Sequence, residues 1–345
     1  MNLFRTVLQS AALVTAALLS LAGSARAQHA GYRTLTIAGD TPSTVALFYP
    51  TAAADRTLPM GPWLPVVAPG APVSDAKLKG LFLISHGTGG MELNHHNLGT
   101  WLARQGYLVA AVRHAGDNWQ DRSLVTSGRY FSERPLQLSR VLDALLSSPE
   151  WGKRIPAERI GAVGHSAGGY SVLALAGAQA EPARAAQHCH TVQDDPGFCF
   201  LAKGQAGPQG LGAQAAPAVR ATASQAERVS VPDPRIRAVV VLAPMAVVFT
   251  PESLAEVKVP VRVIVAELDA VLNSKYHGAH VVANVPKAQA STAAGAGHFA
   301  FMAQSSIPLP SAAGDAAANP PGFDRVAYLP ELEKQVVAFF ADQWR

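Results

Sequence analysis

Five stretches of this chain are apolar almost without a break: residues 79–85 (KGLFLIS), 107–113 (YLVAAVR), 159–164 (RIGAVG), 236–243 (IRAVVVLA) and 259–266 (VPVRVIVA). A strand with one wet face alternates apolar and polar residues, so strands apolar at nearly every position must be covered on both faces. Helices are the usual cover, and helical spacing follows in the right places. Residues 93–105 carry it, as do 134–146 (apolar at Leu136, Leu138, Val141, Leu142, Leu145 and Leu146), and the chain closes on a helix near 329–344. The alternation predicts an α/β fold with a mostly parallel central sheet and helices on both faces.

Upstream, 34–37 and 44–49 alternate around Gly39-Asp40, which predicts an antiparallel hairpin at the sheet edge. Residues 52–75, rich in Pro, Ala and Gly, read as a surface loop. With 345 residues, 49% hydrophobic and 15% charged, the chain can bury one full-sized core, and no internal repeat is present. Residues 28–345 are therefore read as a single domain.

Residues 1–27 have the form of a signal peptide: Arg5, a nearly all-apolar run over 7–22, and small residues at Ala25 and Ala27. The run is short for a bilayer span and is interrupted by Thr15, Ser20 and Gly23, so cleavage after Ala27 and export to the periplasm or beyond are expected. Cleavage removes Arg5 and Arg26, and the formal charge falls from +4 to +2. So small a charge, with no Lys/Arg run interleaved with aromatics, argues against a nucleic-acid partner. After cleavage no stable membrane span is expected.

Between 179 and 234 the strand–helix pattern lapses into Ala, Gly, Gln and Pro, too long for an ordinary connection. This insertion is either a lid or wall over one end of the sheet or a solvent-exposed excursion. Its two cysteines, Cys189 and Cys199, are the only ones in the chain, and export would close them into a disulfide. Metal binding by His188, Cys189 and His190 is the competing reading, but adjacent residues rarely converge on one ion.

The sharpest local motif is Gly164-His165-Ser166-Ala167-Gly168-Gly169, set between an apolar strand run and a helical run beginning near Tyr170. A sharp strand-to-helix turn needs minimal neighbours so that the serine hydroxyl can stand clear of the sheet. A hydroxyl becomes a useful nucleophile only beside an imidazole base, itself oriented by a carboxylate, in the chain order Ser, acid, His. His298, in the small-residue loop 295–301 (GAGHFAF), is the expected base, whereas His188 and His190 lie in the insertion and His277 and His280 suit surface or supporting roles. Asp269, just past the strand 261–266, is the expected acid. Glu267 rivals it at the same strand end, and Asp315 and Asp324 fall outside that position. An oxyanion would need two backbone N–H donors, expected from Ala167 and from Thr88 in the loop 85–90 (SHGTGG). That loop lacks the Gly-Lys-Ser/Thr ending of a phosphate loop.

These residues resemble the α/β-hydrolases of the dienelactone hydrolase and platelet-activating factor acetylhydrolase-like group, in its bacterial exported form. The likeness covers most of 81–301 and rests on SHGTGG (85–90), LARQGYLVAAVRHAGD (102–117), RPLQLSRVLDALL (134–146), RIGAVGHSAGGYSVLALAGA (159–178), AELD (266–269) and GAGHFAF (295–301). It implies an α/β-hydrolase fold with an insertion after the nucleophile helix, and a triad at Ser166, Asp269 and His298. Dienelactone hydrolases carry cysteine where Ser166 stands, and no amphipathic helix suits docking on lipid as in the acetylhydrolases. Substrate identity is therefore not inherited.

The function expected is hydrolysis of a carboxylic ester, small, lipid or polymeric, through an acyl-enzyme and without a metal or organic cofactor. Acyl transfer to another acceptor and a phospholipase A2 or acetylhydrolase-type lipid esterase use the same residues. A non-catalytic binding protein on a hydrolase scaffold fits poorly with all five components being present.

Overall fold

The computed structural model describes residues 28–39, 42–203, 205 and 228–345. The expected signal segment 1–27, Asp40 of the expected turn and most of 204–227 in the insertion lie outside the described residues. The five apolar stretches form β5 (Leu81–Ser85), β6 (Leu108–Arg113), β7 (Ile160–His165), β8 (Ala238–Leu242) and β9 (Val261–Ala266). With β10 (Gln289–Ala293) they make a six-stranded parallel block in the order β10-β9-β8-β7-β5-β6. β10 carries no apolar signal because it is the outermost strand of this block and its residues QASTA are mostly exposed.

Side chains along the strands alternate between two helix layers. Leu81, Leu83, Ile160, Ala162, Val239 and Val241 enter the core beneath α2 (Tyr130–Ser147) and α3 (Ala167–Leu175), both of which pack on that face. Phe82, Ile84, Val163 and Val240 enter the core beneath α1 (His96–Arg104), which lies on the opposite face. Each such buried Val, Leu, Ile or Phe side chain stabilises the fold by about 1.5–3 kcal/mol. α2 contains Pro135, which removes the N–H that would bond the Phe131 carbonyl. Tyr170 Oη–H donates to that carbonyl instead, at 2.6 Å, and so ties α2 to α3.

The hairpin strands are β1 (His29–Ile37) and β2 (Ser43–Thr51), antiparallel in register Tyr32↔Phe48. They do not form the sheet edge. β2 pairs with β6, while β3 (Arg56–Thr57) and β4 (Val66–Pro69) extend the sheet beyond β1. Both lie in the stretch read as a surface loop, where strands of two and four residues are too short to show a period. That stretch also buries Trp63, whose indole N–H donates to Met91 Sδ.

The insertion contributes α4 (Ala183–Thr191) and α5 (Pro196–Ala202), joined by a Cys189–Cys199 disulfide. After it come α6 (Pro251–Ala255), α7 (Gly278–Asn284) and α8 (Arg325–Gln343), the last adding Leu332, Val336 and Phe340 to the α1 face. Among the described residues no helix is long and apolar enough to cross a membrane.

One feature of topology fixes where a site can form. The chain places β6 on one side of β5 and β7 on the other. The loops leaving β5 and β7 lead to α1 and α3 on opposite faces, and such divergence opens a crevice at the strands' C-terminal ends.

Where α8 meets α1, Asn97 donates to Glu333 at 3.0 Å. Burial pushes the Glu333 carboxyl up from 4.5 to about 7, against the pull of that hydrogen bond. A folded-state value raised above the unfolded one means that stability is lost as pH rises from about 4.5 through 7. Glu333→Gln keeps the acceptor and removes the titration. Its Tm is expected to exceed that of the parent at pH 8 and to match it at pH 4, and an equal difference at both pH values would contradict this.

Candidate active site

Ser166 sits at the turn between β7 and α3 with φ +56° and ψ −119°, in the left-handed region that non-glycine residues avoid. Neighbours hold it there. Its N–H donates to the Leu242 carbonyl at 3.0 Å, and its carbonyl accepts from Met245 at 3.0 Å and Tyr170 at 3.2 Å. The turn also needs bare backbone on either side: a β-carbon on Gly164 would stand 2.1 Å from the Gly168 carbonyl oxygen, and one on Gly168 2.0 Å from that of Ser85. Ala167 opens α3, so its N–H has no intrahelical acceptor.

His298 begins a short 3₁₀ turn, His298–Phe301, and its Nδ1–H donates to Asp269 Oδ2 at 2.8 Å. Both side chains are almost wholly buried. The other oxygen, Asp269 Oδ1, accepts the N–H groups of Val271 and Leu272, each at 2.8 Å, so the carboxylate is oriented from both ends. With Nδ1 protonated, neutral His298 keeps a lone pair on Nε2 for a proton. Glu267 does not join this pair; it is exposed and accepts the Gly295 N–H at 2.7 Å. Asp315 holds the N–H groups of Leu309 and Ala317, and Asp324 caps α8 through Ala327.

The loop after β5 is braced by an ion pair that no local sequence motif marks. Asp117 and Arg134 are both fully buried and paired through Asp117 Oδ2 and Arg134 Nη1. Asp117 Oδ1 accepts the Gly89 N–H at 2.9 Å, and Arg134 donates to the His86 carbonyl and, at 3.2 Å, to Ser171 Oγ in α3. Thr88 lies between these two anchors, its hydroxyl bonded to Tyr130 Oη at 2.5 Å. Below it, His86 Nε2 accepts the His114 N–H, and His114 Nδ1–H donates to Gln137 while its Nε2 accepts from Ser85 Oγ at 2.8 Å. Burial, and then the Arg134 charge, hold both imidazoles well below the usual histidine range, as these acceptor roles require. Asp117 and Arg134 fall inside the quoted 102–117 and 134–146 runs. A lone acid after a strand and a lone Arg opening a helical run gave no sign that they meet.

The described part of the insertion is fastened to the acid-bearing segment. Asp195, buried, accepts the Asn273 N–H at 3.0 Å and the ring N–H groups of His188 at 2.8 Å and His277 at 3.0 Å. His277 is buried rather than superficial, and its Nδ1 accepts the N–H of Ala246, next to the Met245 that bonds Ser166. Cys189 is closed in the disulfide and His188 is held by Asp195, so neither matches the competing metal reading. His280 donates to the Phe249 carbonyl.

Ser166, Ala167, Thr88 and His298 line one cavity of about 1170 Å³, as do His190 and Phe198 of the insertion. The arrangement can carry out nucleophilic chemistry: the hydroxyl of a strained serine, an imidazole oriented by a carboxylate behind it and the Ala167 residue that opens a helix line one cleft. No family model and no curated protein matches the chain.

Arg134→Met removes the buried partner of Asp117 Oδ2 and leaves the carboxylate only the longer ionic contact of Arg122 at 3.5 Å; it is expected to cost about 3 kcal/mol in denaturant unfolding at neutral pH, whereas a loss below about 1 kcal/mol would contradict the brace. Burial also lowers His95 and His96 from 6.5 to about 4. Depressed histidine values give stability that is present above 6.5 and lost as pH falls towards about 4. Among the described residues neither His96 ring nitrogen has a hydrogen-bond partner, so His96→Phe is expected to flatten that decline, and an unchanged slope in unfolding free energy would rule its contribution out.

Proposed function

We propose that this protein is an exported serine hydrolase of the α/β-hydrolase type that cleaves carboxylic esters. The observation that carries the reading is the strained Ser166 opening on the same cavity as His298, whose ring Asp269 orients from behind. Ser166 Oγ attacks the ester carbonyl while His298 Nε2 takes its proton, and the Thr88 and Ala167 amides receive the oxyanion. The tetrahedral species collapses to an acyl-enzyme as the alcohol leaves with the proton from His298. Water, deprotonated by His298, then releases the acid and restores Ser166. Asp269 holds the imidazole in the required tautomer and stabilises its charged form.

Three further features support this reading. The crevice between β5 and β7 lies where a parallel sheet takes ligands, and both loops of the proposed machinery leave those strands. The resemblance to the dienelactone hydrolase and acetylhydrolase-like group falls on the same residues. The Cys189–Cys199 disulfide suits an oxidising compartment and so supports export.

Treatment of the mature protein with a fluorophosphonate is expected to leave one covalent adduct at Ser166, located by peptide mass spectrometry. Hydrolysis of 4-nitrophenyl esters should fall by roughly 10⁴-fold or more in kcat in Ser166→Ala and His298→Ala. Folded parent protein without an adduct, or with unaltered turnover in Ser166→Ala, would defeat the proposal.

A further inference from the structure

The residue before Ser166 is itself an imidazole, and no step of the proposed reaction uses it. His165 ends β7, is 2% exposed, and packs its ring against the base. Its ring centroid lies 4.9 Å from that of His298, with the planes inclined by 39°, and 6.0 Å from that of Phe301. His165 Nε2–H donates to the His298 carbonyl at 2.9 Å. The tautomer follows, since a carbonyl oxygen can only accept. The second nitrogen, Nδ1, has no hydrogen-bond partner among the described residues. Burial, and then the charge of a protonated His298, hold His165 well below the usual histidine range, so the ring is neutral.

A buried imidazole with one nitrogen unpaired is a poor choice for packing alone, because an apolar side chain would fill the space without that cost. The other nitrogen is committed to a single acceptor, the main chain of the base. His95, at the start of α1, repeats the pattern. Edge-on to His165 at 5.4 Å, it donates Nδ1–H to the Phe301 carbonyl at 3.0 Å, and its Nε2 has no partner among the described residues. Beside it the Asn94 carbonyl accepts the Ala303 N–H at 2.8 Å. Of these three anchors on residues 298–303, the one from His165 starts from the residue covalently joined to the nucleophile. Asp269 fixes how the His298 ring is turned. The reach from that ring to Ser166 depends instead on the spacing of two backbones, and His165 bridges them.

We propose that His165 is a positioning residue: through Nε2–H and its ring it sets the spacing between the Ser166 and His298 main chains, and so brings the base within reach of the hydroxyl. This rests on the ester-hydrolase reading and gives His165 no part in binding substrate or in moving a proton.

The test compares kcat and KM for 4-nitrophenyl butyrate in the parent, His165→Leu, His165→Asn and His165→Gln. Each kcat is counted per Ser166 labelled to completion by a fluorophosphonate, so unfolded protein does not enter. Gln carries its amide where Nε2 stands, whereas Asn carries it at Nδ1, short of the His298 carbonyl. The Leu and Asn variants are expected to lose about 10–100-fold in kcat with KM held within about twofold, as for lost alignment without lost binding. The Gln variant recovers most of that loss, which a packing role alone would not produce. Unchanged kcat in the Leu or Asn variant, a loss carried by KM, or a Gln variant no better than Asn overturns the inference and leaves the ester reading standing. The Gln–Asn comparison decides the matter by itself where the Leu variant does not fold. In the parent, nitrogen NMR of isotope-labelled histidines is expected to show His165 as the neutral Nε2–H tautomer at neutral pH; the Nδ1–H tautomer would remove the donor and overturn the inference. Parent protein with no turnover and no adduct at Ser166 overturns both readings.

Discussion

Asp117 and Arg134 meet in a place that water does not reach, and the loops of the candidate site are hung on that pair. A buried ion pair is costly to desolvate and is tolerated when hydrogen bonds complete the shell of each ion. Here those extra bonds go to the Gly89 N–H, the His86 carbonyl and the Ser171 hydroxyl. The groups that satisfy the ions are thus the backbone flanking Thr88 and a side chain of the helix behind Ser166. The electrostatic requirement of the pair and the placement of two loops from neighbouring strands become one constraint. The neutral His86 and His114 extend it, since each accepts a hydrogen bond that a protonated ring would refuse.

A second demand on the fold is the conformation of Ser166. A non-glycine residue in the left-handed region costs on the order of 1–3 kcal/mol and persists only where its surroundings fix it. Three backbone hydrogen bonds, from β8, α3 and the segment after β8, fix it here, together with close backbone packing at Gly164 and Gly168. Ala243, immediately after β8, is also at positive φ, so strain gathers along one edge of the sheet. That edge is where β5 and β7 send their loops to opposite faces.

The described part of the insertion belongs to the same structure rather than lying beside it. Asp195 is a buried carboxylate whose donors come from two segments, His188 from the insertion and Asn273 and His277 from the chain after Asp269. α5 packs closely there too, since a β-carbon on Gly197 would stand 2.3 Å from the Ala270 carbonyl oxygen. The disulfide joins the two insertion helices, so the cavity wall they supply is held to the loop that carries Asp269.

The amino-acid order alone determined the layers of the fold, because a strand apolar at every position admits only burial on both faces and a helical period admits only a helix. It also marked Ser166, since a turn so tight tolerates few residue types, and it singled out Asp269 and His298 by their order and strand-end position. Tertiary structure decided the rest. Whether Asp269 or Glu267 meets His298 depends on two residues of loop path after β9, which place Glu267 at Gly295 and turn Asp269 inward. The short strands β3 and β4, the burial of Trp63 and the pairing of Asp117 with Arg134 were likewise not legible. Short-range periodicity records which face of an element is dry, whereas the meeting of two charges seventeen positions apart depends on where intervening elements pack.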